Sequence, residues 1–251
     1  MILETTGLAK RFGGITALDN LDLSIAPNTV HAIIGPNGSG KTTLFNLISG
    51  AVPPSSGRIV FDGQRIDALP PHERASLGIK RTFQNIRLFG DLTVLENVLV
   101  GQHPLAPTGL TSLFLRSSRR DRAMREAAME LLESFGLHDV AARQAGELAY
   151  GSKRLVEIAR AVASDPKLLL LDEPTSGMNA RESEEVVVAI RGQAARRMTI
   201  LIIEHHLPVV KDLAKRVTVL NFGRKIAEES PAEVFVDPAV IEAYLGTEAQ
   251  A

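Results

Sequence analysis

Apolar and polar positions change rhythm several times along this chain. Up to about residue 30 they alternate, as in LDLSI at 21–25, with a turn at Pro27-Asn28. That period of two predicts half-buried antiparallel strands. VHAIIG at 30–35 is apolar almost without a break and closes on glycine, the pattern of a strand buried on both faces. TLFNLISG at 43–50 predicts a helix stopped by Gly50. Residues 57–67 predict a strand pair turning at Asp62-Gly63. Thr93 and Glu96 have capping-box spacing for a short helix through Val100. Pro104, Pro107, Gly109 and several serines make 104–118 a loop. Over 119–135 the period becomes 3.6: Met124, Ala127, Ala128, Leu131, Leu132 and Phe135 share one stripe, and Gly136 ends it. Apolar runs at 168–172 and 199–203 predict two buried strands with a helix between them.

Strands alternating with helices argue for an α/β fold with a mostly parallel sheet. The N-terminal antiparallel β region adds to that sheet, and a helical stretch interrupts it. The expected organisation is one domain over 1–251. Residues 1–84 and 160–251 form its core, and about 85–159 form a helical subdomain. No repeat, heptad or low-complexity segment is present.

Composition narrows the function classes. The net charge of −1 and pI near 6.6 lack the basic footprint of nucleic-acid binding, so no nucleic-acid partner is expected. The absence of cysteine excludes disulfides, thiolate metal sites and cysteine nucleophiles. MILETTGLAKRF is too polar for a secretion signal. No apolar run approaches the about 18 residues that cross a bilayer. If this protein works at a membrane, it docks onto something that spans it.

Residues 35–42 read Gly35-Pro36-Asn37-Gly38-Ser39-Gly40-Lys41-Thr42, matching G-x-x-x-x-G-K-[ST] between a buried strand and a helix. Glycines let the backbone turn its N–H groups inward onto an anion, and the helix that follows adds its positive end. Lys41 supplies charge for terminal phosphates, and the Thr42 hydroxyl can ligate Mg²⁺. With Thr43, these residues are the expected ATP contacts. A chance glycine-rich turn would rarely carry both flanks.

Residues 168–173 read LLLLDE, an apolar strand delivering two carboxylates to a sheet edge. Asp172 suits the Mg²⁺ shell, and Glu173 suits polarising a water toward a γ-phosphate. Many strands end in acids, so this signal gains its weight from the phosphate loop upstream.

With those motifs in place, the chain resembles the ATP-binding-cassette ATPases over nearly its whole length. Leu148-Ala149-Tyr150-Gly151-Ser152, followed by KRLVEIARAVASDPKLLLLDEPTSGMN, is similar to the family's signature segment, helix, acidic strand and D-loop in one run. Gln84 in RTFQN stands where the family's Q-loop glutamine belongs. His205 after TILIIE stands at its switch histidine, with His206 the neighbouring alternative, and Phe12 at its adenine-stacking aromatic.

The resemblance implies two ATPase subunits, homo- or heterodimeric, closing head to tail on ATP and Mg²⁺. Gly151 of one would offer its N–H to the γ-phosphate on the other. Gln84 would touch Mg²⁺ and water, and His205 would hold the γ-phosphate. It also implies transmembrane permease subunits as partners, an external substrate-binding protein as an indirect one, and a peripheral place on the cytoplasmic face of the inner membrane. Ala149 and Ser152 replace the common serine and glutamine of the signature, and Asn179 the usual D-loop aspartate.

The signature Ala-Tyr-Gly, the D-loop Gly-Met-Asn, and the stretches KRFGGITALDNLDLSI and PAEVFVDPAVIEAYLG are similar to the larger ATPase of branched-chain amino-acid importers. Urea and amide importers have very similar ATPases. A DNA-repair clamp would need a long coiled coil, and a translation factor a second cassette; neither is here. A non-hydrolysing sensor would lack Glu173 or His205.

Overall fold

The computed structural model describes residues 1–102 and 118–248. The first two strands, β1 (Leu3–Phe12) and β2 (Ile15–Ile25), pair antiparallel, as their alternation requires. β3 (Val30–Ile34) is buried at every position. α1 (Lys41–Ser49) ends where Gly50 takes φ 80°, a left-handed cap glycine reaches without strain. β4 (Ser56–Phe61) and β5 (Gln64–Arg65) meet through Asp62 and Gly63, both at positive φ, as a tight hairpin turn demands.

The chain continues with α2 (Pro71–Ser76), β6 (Ile79–Arg81) and α3 (Val94–Gly101). α3 carries the expected capping box: Thr93 accepts from the Glu96 N–H at 3.1 Å, and Glu96 accepts from the Thr93 N–H at 2.8 Å. α4 (Ser118–Ser134) is the amphipathic helix, one residue earlier than its sequence pattern placed it. The loop expected at 104–118 lies outside the described residues except at Ser118, which opens α4. Ala128, Leu131, Leu132 and Phe135 are buried as predicted. Ala127 is exposed, and the half-buried Met129 packs on the core instead. The buried face is therefore rotated slightly from the predicted stripe.

Next come α5 (Tyr150–Val162), β7 (Leu168–Asp172), α6 (Ala180–Ala195) and β8 (Thr199–Ile203). Then follow α7 (Leu207–Leu213), β9 (Arg216–Asn221), β10 (Arg224–Glu229), α8 (Pro231–Val234) and α9 (Pro238–Glu248).

Two sheets result. One is antiparallel, ordered β2-β1-β4-β5; the other is ordered β10-β9-β3-β8-β7-β6, parallel except at β10. The central strands of the second, β3, β7 and β8, are buried at every position, and their residues divide between two cores. Leu168, Leu170, Leu201 and Ile203 join α1 and the antiparallel sheet in one core. Leu169, Leu171, Ile200 and Ile202 join α3 to α6 in the other. At roughly 1.5–3 kcal/mol per buried aliphatic side chain, this double burial holds the sheet between its two layers. It also brings the ends of β3, β7 and β8 together at one edge. No helix among the described residues is long and apolar enough to cross a membrane.

Candidate active site

The loop after β3 leads into α1 with no side chain capping the helix: its N-cap is Gly40 at φ 102°. The first-turn N–H groups therefore keep no intrahelical partner and face the loop. Gly40 is required twice over, because a Cβ there would stand 2.6 Å from the Ala17 carbonyl oxygen. Gly35 is as constrained, with a virtual Cβ 2.0 Å from the Leu220 carbonyl oxygen. Asn37, Gly38 and Thr42 are exposed, Thr43 is half-buried, and Ser39 is buried with no partner for its hydroxyl. Lys41 is buried and donates to the carbonyl oxygens of Gly35 at 2.7 Å and Pro36 at 2.9 Å. Its ammonium closes the loop on itself. Burial lowers the Lys41 pKa, and the nearby carboxylates of Glu173 and Asp172 work in the opposite direction.

β7 ends in Asp172, buried, with Oδ2 3.0 Å from an Arg81 guanidinium nitrogen. Arg81 also donates to Asn46 Oδ1 at 2.6 Å, joining β6, α1 and β7. Glu173 follows at φ 45°, a left-handed conformation that a non-glycine residue adopts at a cost. Its Oε1 lies 3.8 Å from His205 Nδ1. Of the two histidines, His205 faces the carboxylate. His206 is held through its backbone: its N–H donates to Glu204 Oε2 at 3.3 Å, and its carbonyl oxygen accepts from the Val209 N–H at 3.0 Å.

Gln84 is exposed, and its carbonyl oxygen is fixed by Arg154 at 2.7 Å. Arg154 is fully buried, pairs with Glu157 at 2.7 Å and also donates to the Phe83 carbonyl oxygen. The helix after the signature segment thus grips the segment around Gln84. Phe12, at the end of β1, is 47% exposed with the Lys10 ammonium 4.9 Å from its ring centre, which leaves one face free to stack.

Gly151 stands apart from this cluster. It is the second residue of α5, which packs on α3, α4, α6 and β6. The N-cap Ala149 provides no side-chain bond, so this helix too begins with unclaimed N–H groups. A Cβ on Gly151 would meet Glu182 at 2.9 Å. α6, by contrast, is capped by Asn179, which accepts from the Glu182 N–H at 3.0 Å. Asparagine caps as well as aspartate, which accounts for the departure at that position.

The fold therefore brings Lys41, Thr42, Asp172, Glu173 and His205 to one edge of the parallel sheet, while Gly151 is buried in the first turn of α5 against the Glu182 side chain. Sequence reasoning missed Arg81 and Glu204. The signal for Glu204 was present: like Glu173, it is an acid directly following an apolar strand.

The profile of the ABC transporter family matches residues 18–176. That of the branched-chain amino acid ATP-binding cassette transporter family matches 224–250. The high-affinity branched-chain amino acid transport ATP-binding protein LivG of Escherichia coli (strain K12) is 41% identical, over 98% of each chain. BraF of Pseudomonas aeruginosa, of the same description, is likewise 41% identical, over 98% of each. Among solved structures, the ADP conformation of an ATP-binding cassette of an ABC transporter superposes with TM-score 0.85 at 37% identity, covering 98% of each chain. A dimeric cassette in a post-hydrolysis state, bound to ADP and Pi, gives TM-score 0.77 at 26% identity, covering 91% of this chain and 98% of that one.

Proposed function

This chain belongs to the ABC transporter family, among its ATP-hydrolysing subunits, and on that premise we propose that it powers the import of branched-chain amino acids. The observation that carries the site assignment is the convergence of motif residues on one sheet edge. The Lys41 ammonium lies within electrostatic reach of Asp172 and Glu173, and Glu173 lies 3.8 Å from His205. Phosphoryl transfer is mainly positioning and charge stabilisation, and this edge supplies both.

In this reading the N–H groups at the start of α1 and the Lys41 ammonium cradle the phosphates, Phe12 stacks on adenine, and Gln84 orders the water. Glu173 accepts the water proton as its oxygen attacks the γ-phosphorus, the bond to the β-phosphate oxygen breaks, and His205 holds the departing phosphoryl oxygens. Thr42, Asp172 and Gln84 are hard oxygen donors that would hold Mg²⁺, and the ion would supply positive charge against the phosphates.

The uncapped N-terminus of α5 at Gly151 leaves first-turn N–H groups without an intrahelical partner. Facing the loop of a second ATPase subunit, a copy of this chain or a sister, it completes the nucleotide site. About residues 85–159 act as the subdomain that carries it, and the rest as the catalytic core. A cavity of about 660 Å³ beside Gln84, lined by Phe83, Arg87, Phe89, Val100, Glu157 and Arg160, is the place for the permease subunit. Phe83 is 40% and Phe89 52% exposed there, apolar surface that a partner would cover. The chain then sits peripherally on the cytoplasmic face of the membrane, and a substrate-binding protein delivers cargo from the other side.

The test is uptake of labelled leucine, isoleucine and valine by cells carrying the chain with its membrane subunits. Lys41→Ala should abolish it. Intact leucine uptake alongside lost uptake of urea or a short amide would overturn the substrate assignment.

A further inference from the structure

One buried acid at the centre of this site, Glu204, takes no direct part in the reaction. Glu204 is 0% exposed. It follows Ile203, which pairs with Asp172 across β7 and β8, so it stands on the neighbouring strand level with Glu173. An isolated carboxylate at that depth would be strongly destabilising. Here four donors satisfy it. Oε1 accepts from the Thr175 N–H at 3.2 Å and the Thr175 hydroxyl at 2.5 Å. Oε2 accepts from the backbone N–H groups of His205 at 3.0 Å and His206 at 3.3 Å.

The donors come from two different segments. Thr175 lies in the turn that carries Glu173, a turn closed by the Ser176 N–H donating to the Glu173 carbonyl oxygen at 3.1 Å. His205 and His206 open the loop after β8. One oxygen of Glu204 is committed to each segment. We propose that Glu204 is a positioning residue that ties the Glu173 turn to the His205 loop and so sets the 3.8 Å separation of the two side chains. Only a carboxylate can serve here, since all four partners donate. An amide would turn an N–H₂ group toward one pair of donors and release that segment. A displacement of about 1 Å between reacting groups is enough to cost about a hundredfold in rate.

This inference rests on the reading of Glu173 and His205 as the reacting pair. Its test uses the full chain, with turnover, nucleotide affinity and thermal stability measured together. His205→Ala comes first and should be crippled; normal turnover in that variant overturns the site reading and this inference with it. Glu204→Gln should lower kcat about ten- to a hundredfold while nucleotide affinity stays within about threefold. Combining Glu204→Gln with His205→Ala should be no slower than His205→Ala alone, because Glu204 acts through the pair. Should Glu204→Gln fail to fold, Thr175→Val carries the test. It should lose turnover, and Thr175→Ser, which keeps the hydroxyl, should restore it. Two results overturn the inference alone, beside a crippled His205→Ala. One is unchanged kcat per folded chain with only a lowered Tm. The other is a double variant slowed by the full product of the two single losses.

Discussion

Glu173 carries both the chemistry and a strained backbone, and two substitutions separate them. Its φ of 45° costs a residue with a Cβ about 1–2 kcal/mol. Its side chain is 21% exposed, with His205 Nδ1 at 3.8 Å. Glu173→Gln keeps the Cβ, the shape and the strain, so unfolding free energy should move by less than about 0.5 kcal/mol. Loss of the proton acceptor should lower turnover about 10²–10⁴-fold, which is about 3–5 kcal/mol of barrier. Glu173→Gly is equally inactive but releases the strain. Glycine's extra freedom in the unfolded chain takes back about 0.5–1 kcal/mol. The net change should lie between about zero and 1.5 kcal/mol of added stability. Glu4→Gly, at an exposed position of β1 with ordinary strand geometry, should instead destabilise by about 0.5–1 kcal/mol. Denaturant unfolding without nucleotide, together with phosphate release, reads both quantities. Backbone strain at Glu173 is refuted if Glu173→Gly is destabilised as much as Glu4→Gly, and its role as proton acceptor is refuted if Glu173→Gln keeps turnover within about threefold of the unchanged chain.

Lys41→Ala should bind ATP at least about 3 kcal/mol more weakly, having lost its charge-assisted phosphate bonds. Its stability without nucleotide should change little, since burial already disfavours the ammonium there; calorimetry on the same sample measures both. His205→Ala should lose turnover and His206→Ala should keep it, because only His205 faces Glu173; phosphate release from the two variants decides the matter. His31 is buried against Thr218 Oγ1 at 2.8 Å, and desolvation lowers its pKa to about 4 from 6.5. The unfolded chain therefore takes up a proton below pH 6.5 that the folded chain refuses. Stability present above pH 6.5 is lost as pH falls toward 4, by about 2 kcal/mol between pH 7 and pH 5. His31→Gln should remove that share of the slope in denaturant midpoints. Ala149→Ser should place a side-chain cap on α5 and raise its stability by about 1 kcal/mol, seen as a higher Tm.

Where one physical rule dominates, the pattern of residues was enough. β7 and β8 fall where their unbroken apolar runs put them, and the turn at Asp62-Gly63 and the caps at Thr93 and Gly50 fall where their chemistry requires. The phosphate loop was legible for the same reason, since its glycines answer to close contacts at Ala17 and Leu220. β6 was not legible, because three residues are too few to show a period and its partner β7 lies far along the chain. α2, α7 and α8 are short helices with proline in the first turn, a start signal that their few residues left without periodic support. The width of the α4 stripe was misjudged at Ala127 because the helix rotates to bring Met129 onto the core. Arg81 and Glu204 gain their meaning from partners far away in sequence, Asp172 and Thr175, and spacing along the chain cannot show that.

In the proposed assembly, the site of one chain is finished by Gly151 of another. The most direct measurement mixes two inactive variants of a chain that hydrolyses ATP on its own. Lys41→Ala removes the phosphate lysine but keeps Gly151, and Gly151→Asp keeps Lys41 but puts a carboxylate where the N–H groups meet phosphate. In a mixed pair, one site has both parts intact, so combining the two should restore phosphate release that neither shows alone. A mixture as inactive as its components would contradict the claim.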